Sequence, residues 1–456
     1  MNFNEINNVY FVGIGGIGMS ALARYFHSQG KSVSGYDKTR TELTTLLENE
    51  GIDIHYEDWG NEVLNHVPRV GTVVVFTPAV PASFGELNAF QQEGYQVIKR
   101  AKALGIISEA FETFAVAGTH GKTTTSSILA HVLNQTSDKV NAFIGGIASN
   151  YNSNCIINKD STRVVVEADE FDRSFLQLYP DNTIVTSMDA DHLDIYGDGD
   201  HLTQSFNEFI NQTKSYGVIL VNSKIDLQQF ELADNIRINT YGVDGHTDWR
   251  LHALKYSEGK FYFDIISRSE IYRNIEFGLP GQHNAENATA VFALCMEVGV
   301  LEADIREAFK TFKGVKRRFD FKVRKDDMVV IDDYAHHPTE IDAFLRSVKK
   351  LYPERKITAV FQPHLFSRTR DFMAGFAESL ALADELYLLP IYPARELPIE
   401  GITSEVLLEE VNMYDKFMST KDSIVEDLKK GEHEVICIIG AGDIDTTVQP
   451  ITNAFE

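Results

Sequence analysis

The chain contains 456 residues, of which 43% are hydrophobic and 11% aromatic, and we expect about three globular domains of ~150 residues each. Its formal net charge of −24 argues against nucleic acid or an anionic membrane surface as a partner, because both require a basic face. We expect a cytoplasmic protein with reduced thiols. The sequence shows no export signal and no apolar run of about 18 residues, and Cys155, Cys295 and Cys437 are widely scattered.

The first hundred residues alternate between short apolar runs and amphipathic segments. The pattern predicts strands at Val9–Val12, Ser32–Tyr36 and Thr72–Phe76 and helices at Ser20–Gln29 and Glu42–Asn49. Alternation of this kind indicates a parallel sheet wrapped by helices, which places the chain in the α/β class.

A glycine-rich turn joins the first of these strands to the first helix. Gly13, Gly15 and Gly18 fit the spacing Gly-x-Gly-x-x-Gly, Gly16 lies between the last two, and Asp37 follows the second strand. Such glycines let backbone N–H groups approach a diphosphate, and the acidic side chain can meet a ribose. The motif alone fits NAD, FAD and a UDP-sugar equally well.

The strand pattern restarts near residue 108 and again after Gly314, so we place domain boundaries at these two points. In the middle part it predicts strands at Phe114–Ala117, Arg163–Val166, Asn182–Ser187, Gly217–Asn222 and Ile271–Phe277, a hairpin of Leu251–Tyr256 with Lys260–Ile266, and helices at Ser126–Asn134 and Glu286–Val298. In the last part it predicts strands at Met328–Ile331, Ile357–Phe361, Glu385–Leu389 and Val435–Ile439 and helices at Thr339–Leu351 and Asp371–Ala383.

A second glycine turn lies between the strand at Phe114–Ala117 and the helix that follows it. It consists of Gly118, Thr119, His120, Gly121, Lys122, Thr123 and Thr124. Val116 stands where the full P-loop pattern has its first glycine, so this is a shortened form of that pattern. Backbone N–H groups and the lysine would neutralise phosphate oxygens, and the threonine would bind Mg²⁺, so the turn predicts a nucleoside triphosphate.

Acidic residues follow two neighbouring strands of the middle part. One run is Glu167–Glu170, and the other, Asp189–Asp194, includes His192. Because parallel strands present their carboxyl ends at one edge, we expect both runs near Lys122, where carboxylates bind Mg²⁺ or position water. The alternative is that they form solvated loops or helix caps.

Three further polar groups stand out. Asn284 and Asn287 share a helical face, where they can pair with adenine or cap the helix, and Lys316–Phe319 is a basic patch at a domain junction. The segments Asp332–Pro338 and His364–Arg370 follow strands and carry His and Arg, a combination typical of a small carboxylate or phosphate site.

In this order and over essentially the whole chain, the motifs resemble the Mur ligase family of ATP-dependent amino-acid ligases in peptidoglycan synthesis. The resemblance implies three domains. An N-terminal Rossmann-like domain (1–107) would bind the UDP moiety, a central P-loop-type ATPase domain with a small antiparallel sheet (108–313) would bind ATP, and a C-terminal Rossmann-like domain (314–456) would bring the amino acid. It also implies that substrates held on different domains react when the domains close.

The resemblance also implies a role for each motif residue. The UDP substrate would contact Gly13, Gly15, Gly16, Gly18 and Asp37. ATP would contact Gly118, Thr119, His120, Gly121, Lys122, Thr123, Thr124, Asn284, Asn287, Arg318 and Asp333. Two Mg²⁺ ions would lie on Thr123, Glu167 and His192, the catalytic groups would be Lys122, Glu167, His192 and Arg318, and Tyr334, His336 and Arg368 would surround the amino acid.

The implied reaction joins L-alanine to the lactyl carboxylate of UDP-N-acetylmuramate through an acyl phosphate, in a monomer or homodimer. Two positions depart from the family pattern: Asn207 stands where several relatives carry a carbamylated lysine, and Leu365 where some alanine ligases carry a basic residue. Other possible functions are a ligase that attaches a tripeptide by the same chemistry, a nicotinamide-dependent dehydrogenase, and a binding protein that hydrolyses ATP without ligation.

Overall fold

The computed structural model describes residues 5–189, 199–233, 236–243, 245–257, 260–394 and 396–456. The chain divides into two units. The first comprises Met1–His252, Asp264–Ile275 and Glu286–Phe312, and the second comprises Ala253–Phe263, Glu276–Ala285 and Lys313–Glu456. Within the described ranges, no helix has both the length and the apolar character needed to cross a bilayer.

The strands lie in three sheets and are numbered here in chain order. The first sheet contains β1 (Asn8–Val12), β2 (Ser32–Tyr36), β3 (Asp53–His55), β4 (Thr72–Phe76) and β5 (Gln96–Lys99). The second contains β6 (Glu112–Ala117), β7 (Asn141–Ala148), β8 (Ser153–Ile156), β9 (Arg163–Glu167), β10 (Asn182–Val185), β11 (Val218–Asn222), β12 (Arg237–Gly242), β13 (Trp249–Ser257), β14 (Lys260–Ser267) and β15 (Ile271–Phe277). The third contains β16 (Asp320–Arg324), β17 (Val329–Asp333), β18 (Ile357–Phe361), β19 (Glu385–Leu388), β20 (Lys416–Met418) and β21 (Val435–Ile439).

The helices of the described residues connect these strands. Those up to residue 211 are α1 (Ile17–Ser28), α2 (Glu42–Asn49), α3 (Gly85–Gln92), α4 (Arg100–Ser108), α5 (Lys122–Gln135) and α6 (Gly199–Asn211). The later ones are α7 (Gln282–Glu297), α8 (Glu302–Thr311), α9 (Pro338–Leu351), α10 (Phe366–Asp371), α11 (Met373–Leu380), α12 (Ser404–Glu410), α13 (Ile424–Leu428) and α14 (Asp445–Phe455). Short 3₁₀ turns cover Gly60–Asn65, Phe171–Gln177 and Leu227–Gln229.

The first sheet has the strand order β3-β2-β1-β4-β5. Strand β1 pairs in parallel with β2 on one side and with β4 on the other. The strand order therefore reverses beside β1, and in open α/β sheets ligands bind at the carboxyl ends of the strands at such a switch point. The turn that follows β1 lies at this point.

The second sheet has the order β15-β14-β13-β12-β11-β10-β6-β9-β7-β8. Strand β6 is parallel to both β9 and β10, and β9 is parallel to β7. Because these strands run in the same direction, the residues that follow β6, β9 and β10 meet at one edge of the sheet. The two strands of the predicted hairpin, β13 and β14, are neighbours near one end of this sheet.

The third sheet has the order β16-β17-β21-β18-β19-β20. Strand β16 is antiparallel to β17, whereas β17, β21, β18 and β19 pair in parallel. The loops after β17 and β18 therefore lie at the same edge, and they carry the His and Arg residues noted in the sequence.

A single buried cluster links the first sheet to the second within the first unit. It includes Phe11, Phe26, Phe143, Val166 and Phe206. Helix α1 also makes polar contacts with β8. There Arg24 Nη1 donates to Asn154 Oδ1 at 2.6 Å, and Asn154 Nδ2 donates to Ser20 Oγ at 2.8 Å. The helix that carries the first glycine turn is thus fixed to the second sheet.

Five predicted strands have the same bounds as strands of the structure: β2, β4, β15, β18 and β21. The helix predicted over 371–383 is confirmed in part: α11 covers Met373–Leu380, and the residues up to Asp371 form the separate helix α10, with a break at Phe372. The backbone of Phe372 has φ −118° and ψ 21°, outside the helical region, and its ring packs 4.6 Å from that of His337. Helix α5 also begins earlier than predicted, at Lys122 rather than Ser126.

Candidate active site

The first glycine turn follows β1 and ends at the start of α1. Gly13 has φ +88°, a region in which residues other than glycine are strained. The Gly15 N–H donates to Oδ2 of Asp37 at 2.7 Å. The structure therefore brings Asp37 into direct contact with the turn, and its contact with a ribose stays a prediction.

The same turn has a basic neighbour that the sequence pattern did not reveal. The guanidinium of Arg100 lies on Gly18, where a Cβ atom would come within 2.5 Å of Nη1. The Nη2 atom of Arg100 donates to Oδ2 of Asp169 at 3.2 Å. Arg100 begins α4, far from the turn in sequence, and no motif spacing marks it.

The second glycine turn follows β6 and is shaped by its own glycines. Gly118 has φ +133°, and a Cβ atom there would collide with Thr186 Oγ1. Gly121 has φ +79° and is the N-cap of α5. This left-handed residue lets the helix start immediately at Lys122, so the helix N-terminus points into the turn.

Hydroxyl groups after β10 support the second turn. The Ser187 hydroxyl accepts from the His120 N–H at 2.8 Å and lies 3.0 Å from the Thr119 hydroxyl. Thr119 Oγ1 in turn accepts from the Asp189 N–H at 3.1 Å. Ser187 thus fixes the turn to the end of the neighbouring strand, a role that no motif in the sequence indicates.

Lys122 is held by three acceptors at the second turn. Its Nζ donates to the Gly118 and Thr119 carbonyls, at 2.6 and 3.3 Å, and pairs with the Glu170 carboxylate at 2.8 Å. Burial alone would lower the pKa of Lys122, but Glu170, Asp169 and Glu167 outweigh it and raise the pKa above its ordinary value. The lysine is therefore a fixed positive charge. Glu170 was predicted only as part of an acidic run.

Glu167 ends β9 beside the start of α5. Its Oε1 accepts from the Thr123 hydroxyl at 3.0 Å, and its Oε2 accepts from the Gly145 N–H at 2.8 Å. Burial raises the pKa of Glu167, although Lys122 acts in the opposite direction. A Cβ atom at Gly145 would collide with the Glu167 carboxylate, so a side chain there would displace the carboxylate.

The hydroxyl and carboxylate oxygens of Thr123 and Glu167 are ligands that Mg²⁺ prefers, so the pair fits the predicted metal. No larger metal-binding group of His, Cys, Asp and Glu occurs within the described ranges. His192, the other predicted ligand, lies outside those ranges together with Asp191 and Asp194.

The two asparagines of α7 differ in their surroundings. Asn287 lies against the second turn, where a Cβ atom on Gly121 would be 3.1 Å from its Oδ1. Asn284 is 3% exposed, and its Nδ2 donates to the Pro280 carbonyl at 2.6 Å. That bond ties the side chain to a residue just before its helix, but it is not the helix cap raised as the alternative, because a cap accepts from backbone N–H groups.

In the second unit, Asp333 organises the loops around Arg318. Its carboxylate accepts from the N–H groups of Phe319, at 2.7 Å, and Ala335, at 2.8 Å. Burial raises the pKa of Asp333 to about 6, although Arg318 and these two donors act in the opposite direction. Both oxygens thus have a structural use, and the ribose contact implied for Asp333 stays a prediction.

Aromatic and basic side chains cluster after β17 and β18. The guanidinium of Arg318 lies 4.9 Å from the centre of the Tyr334 ring, a cation–π distance. The His336 ring lies 5.3 Å from that of Tyr334 and 6.2 Å from that of His364.

Residues 365 and 368 adjoin this cluster in sequence. Leu365 has φ +70° at the start of α10, a strained position of the kind that occurs at functional sites. Arg368 is buried on that helix. Asn207, the other departure from the family pattern, accepts from Asn211 Nδ2 within α6.

Three parts of the chain match descriptions of one family. Residues 8–112 match "Mur ligase family, catalytic domain", residues 116–295 match "Mur ligase middle domain", and residues 317–442 match "Mur ligase, glutamate ligase domain".

Full-length relatives carry the same family features. A UDP-N-acetylmuramate–L-alanine ligase of Flavobacterium johnsoniae is 50% identical over 451 residues, which cover 99% of this chain and 98% of that protein. A protein of the same name from Parabacteroides distasonis is 44% identical over 459 residues, with 99% and 98% coverage.

Solved structures agree on the fold. The UDP-N-acetylmuramate-alanine ligase of Thermotoga maritima matches with a TM-score of 0.83 at 29% identity and covers 98% of both chains. A murein peptide ligase of Psychrobacter arcticus matches with a TM-score of 0.70 at 22% identity, which shows the fold alone. The fold is the three-domain α/β fold of these ligases, and the chain belongs to the Mur ligase family.

Proposed function

We propose that this chain is an ATP-dependent ligase that joins L-alanine to the lactyl carboxylate of UDP-N-acetylmuramate in peptidoglycan synthesis. The main structural support is that one unit contains two glycine turns, each at the start of a helix and each beside a cation. Two such turns suit an enzyme with two nucleotide substrates. The names of the full-length relatives support the choice of substrates.

The chemistry must activate a carboxylate, because its oxygen is a poor leaving group. A carboxylate oxygen attacks the γ-phosphorus of ATP, the bond to ADP breaks, and an acyl phosphate forms. The free amine of L-alanine then attacks the acyl carbon, the carbon–oxygen bond to phosphate breaks, and the amine proton leaves. The products are an amide, ADP and phosphate.

The second glycine turn supplies the groups that such a phosphoryl transfer needs. We propose that Lys122 neutralises the β- and γ-phosphates and that N–H groups of Gly118–Thr124 hold them. Thr123 and Glu167, with His192, would hold Mg²⁺, which neutralises phosphate charge when it is bound. Glu167 and His192 serve as metal and electrostatic groups in this proposal, and Asn287 and Asn284 contact the adenine.

The remaining groups are assigned to ATP, the UDP substrate and the amino acid. We assign Gly13, Gly15, Gly16, Gly18 and Asp37 to the UDP substrate, Arg318 and Asp333 to ATP, and Tyr334, His336 and Arg368 to L-alanine. The contact of Asp37 with Gly15 and the ring cluster around His336 support these assignments. The domain limits near 108 and 314 remain predictions.

We further propose a cytoplasmic location and a monomeric or homodimeric state. All three cysteines are buried, free thiols, which suits a reducing compartment. Light scattering on the purified chain would distinguish a monomer from a homodimer.

The test is phosphate release from ATP with UDP-N-acetylmuramate and each of L-alanine, L-serine, glycine and the tripeptide. We expect turnover that depends on both UDP-N-acetylmuramate and L-alanine. Turnover with UDP-N-acetylmuramate and the tripeptide, but not with L-alanine, would instead identify a recycling ligase. ATP hydrolysis at the same rate with and without UDP-N-acetylmuramate, and with and without an amino acid or peptide, would contradict a ligase function.

A further inference from the structure

The two glycine turns of the first unit share a feature that their sequences do not show. The cation of each turn is held by a carboxylate: Lys122 pairs with Glu170 and Arg100 pairs with Asp169. Asp169 and Glu170 are consecutive residues after β9. One short acidic segment therefore holds the cations of both turns.

The two ion pairs differ in their access to solvent. The side chains of Lys122 and Glu170 are 13% and 0% exposed, whereas those of Arg100 and Asp169 are 22% and 35% exposed. A partly exposed pair gains little net free energy from its contact. The pair at the first turn can therefore exchange its carboxylate for a better anion at low cost.

The position of Arg100 suits such an exchange. Its guanidinium covers Gly18 in the first turn of α1. Among the described residues no side chain caps the N-terminus of this helix, and its first turn contains no acidic residue. A diphosphate on the glycine turn would meet the guanidinium, whose planar fork binds phosphate oxygens in pairs.

We propose that Arg100 binds the diphosphate of the UDP substrate and that Asp169 holds Arg100 when no diphosphate is bound. This rests on the proposed function, because it takes the first glycine turn as the UDP site. Binding would transfer Arg100 from Asp169 to the diphosphate.

The test is calorimetric titration of the full-length protein with UDP in the absence of ATP. Arg100→Ala should weaken UDP binding by about 10- to 100-fold, the range of a charge-assisted phosphate contact, and Arg100→Lys should weaken it less. The control is Lys99→Ala. Lys99 is the preceding residue and pairs with Asp172 of the same segment at 2.8 Å, so its loss should leave UDP affinity unchanged.

The Asp169→Asn variant distinguishes the proposed exchange of Arg100 from an ion pair that only supports the fold. It frees Arg100 and keeps the oxygen that accepts from the Phe171 N–H, so UDP should bind about threefold more tightly. Glu170→Gln, which acts on Lys122, should not change UDP affinity. If Asp169→Asn weakens binding as Arg100→Ala does, the pair is structural and the inference is wrong.

The outcome for the unmodified protein separates this inference from the proposed function. Failure of the unmodified protein to bind UDP would overturn both. Binding of UDP that is equally tight in Arg100→Ala would overturn this inference alone. Melting temperatures of all variants, measured without ligand, exclude loss of fold as the cause of weaker binding.

Discussion

The two glycine turns obtain their positive charge in different ways. The second turn carries its own cation, since Lys122 directly follows Gly121 and starts α5. The first turn has no basic residue of its own between Gly13 and Gly18 and instead receives Arg100 from α4. The motif of the second turn therefore predicts both the backbone N–H groups and the cation that would bind phosphate. The motif of the first turn predicts only the backbone N–H groups.

The two turns also differ in how closely neighbouring groups enclose them. The second turn is packed against half-buried hydroxyl and carboxylate groups at the ends of neighbouring strands, including Ser187 and Glu167. The first turn has Asp37 on one side and a partly exposed ion pair on the other. We therefore expect substitutions at the second turn to affect both stability and turnover, and those at the first to affect mainly binding.

The largest expected effect is that of Lys122→Ala on turnover. Removal of the charge that faces the transferred phosphoryl group should lower phosphate release by about 10³-fold or more. UDP binding should stay within about twofold of the unmodified protein, because Lys122 belongs to the other turn. Lys139→Ala, which removes a cation just beyond the far end of α5, is the control and should leave turnover unchanged. Normal turnover in Lys122→Ala would refute the assignment of the ATP site.

Gly145→Ala should reduce turnover by about 100-fold, because the added methyl group displaces the Glu167 carboxylate. The measurement is again phosphate release, at saturating UDP substrate. Combining the change with Glu167→Asp, which shortens the displaced side chain, should cost less than the two separate effects together. Additive losses would show that Gly145 acts through another group.

Glu170→Gln should lower the free energy of unfolding by about 3 kcal/mol, because it leaves the buried Lys122 charge without the carboxylate that pairs with it. Urea denaturation at neutral pH measures this difference. A loss below about 1 kcal/mol would show that the Lys122–Glu170 pair contributes no more than an exposed ion pair. The proposed difference between the two turns would then be wrong.

His131 on α5 makes the stability of the helix behind the second turn depend on pH. Burial lowers the pKa of His131 to about 4, so the unfolded chain takes up a proton between pH 6.5 and 4 while the folded one does not. The stabilisation is complete above pH 6.5 and is lost as the pH falls through this window, by about 3 kcal/mol. His131→Gln should remove this part of the pH dependence, and His27→Gln, at an exposed position on α1, should not. An unchanged slope in His131→Gln would contradict the burial argument.

The smallest expected effect is that of Arg100→Ala on stability. A partly exposed ion pair contributes less than about 1 kcal/mol, so urea denaturation without ligand should show little change. Added UDP should then stabilise the unmodified protein more than the variant, as linkage requires. A large loss of stability without UDP would show that Arg100 is structural.

The sequence predicts much of the fold because most of its central strands are short apolar runs bounded by polar residues, glycine or proline. Strands β4, β18 and β21 match their predicted bounds for this reason. Edge strands such as β3 and β20, three residues long and only partly buried, carry too little apolar pattern to be recognised. The break at Phe372 was missed because the residue is compatible with helix and only its contact with His337 shows otherwise.

For the candidate site, the sequence predicts groups that lie close together in the chain and misses those that fold toward them. Lys122, Thr123 and Glu167 follow from one turn and one strand end, and the structure places them together. Arg100, Gly145 and Ser187 come from other elements, and their contacts exist only after the sheet is assembled.

The most direct test of the account is whether the two turns hold two different nucleotides at once. The full-length protein would be saturated with a non-hydrolysable ATP analogue and Mg²⁺ and then titrated with UDP in a calorimeter. We expect one UDP to bind per chain, with an affinity that the analogue does not abolish. Competition, in which the analogue displaces UDP, would contradict it.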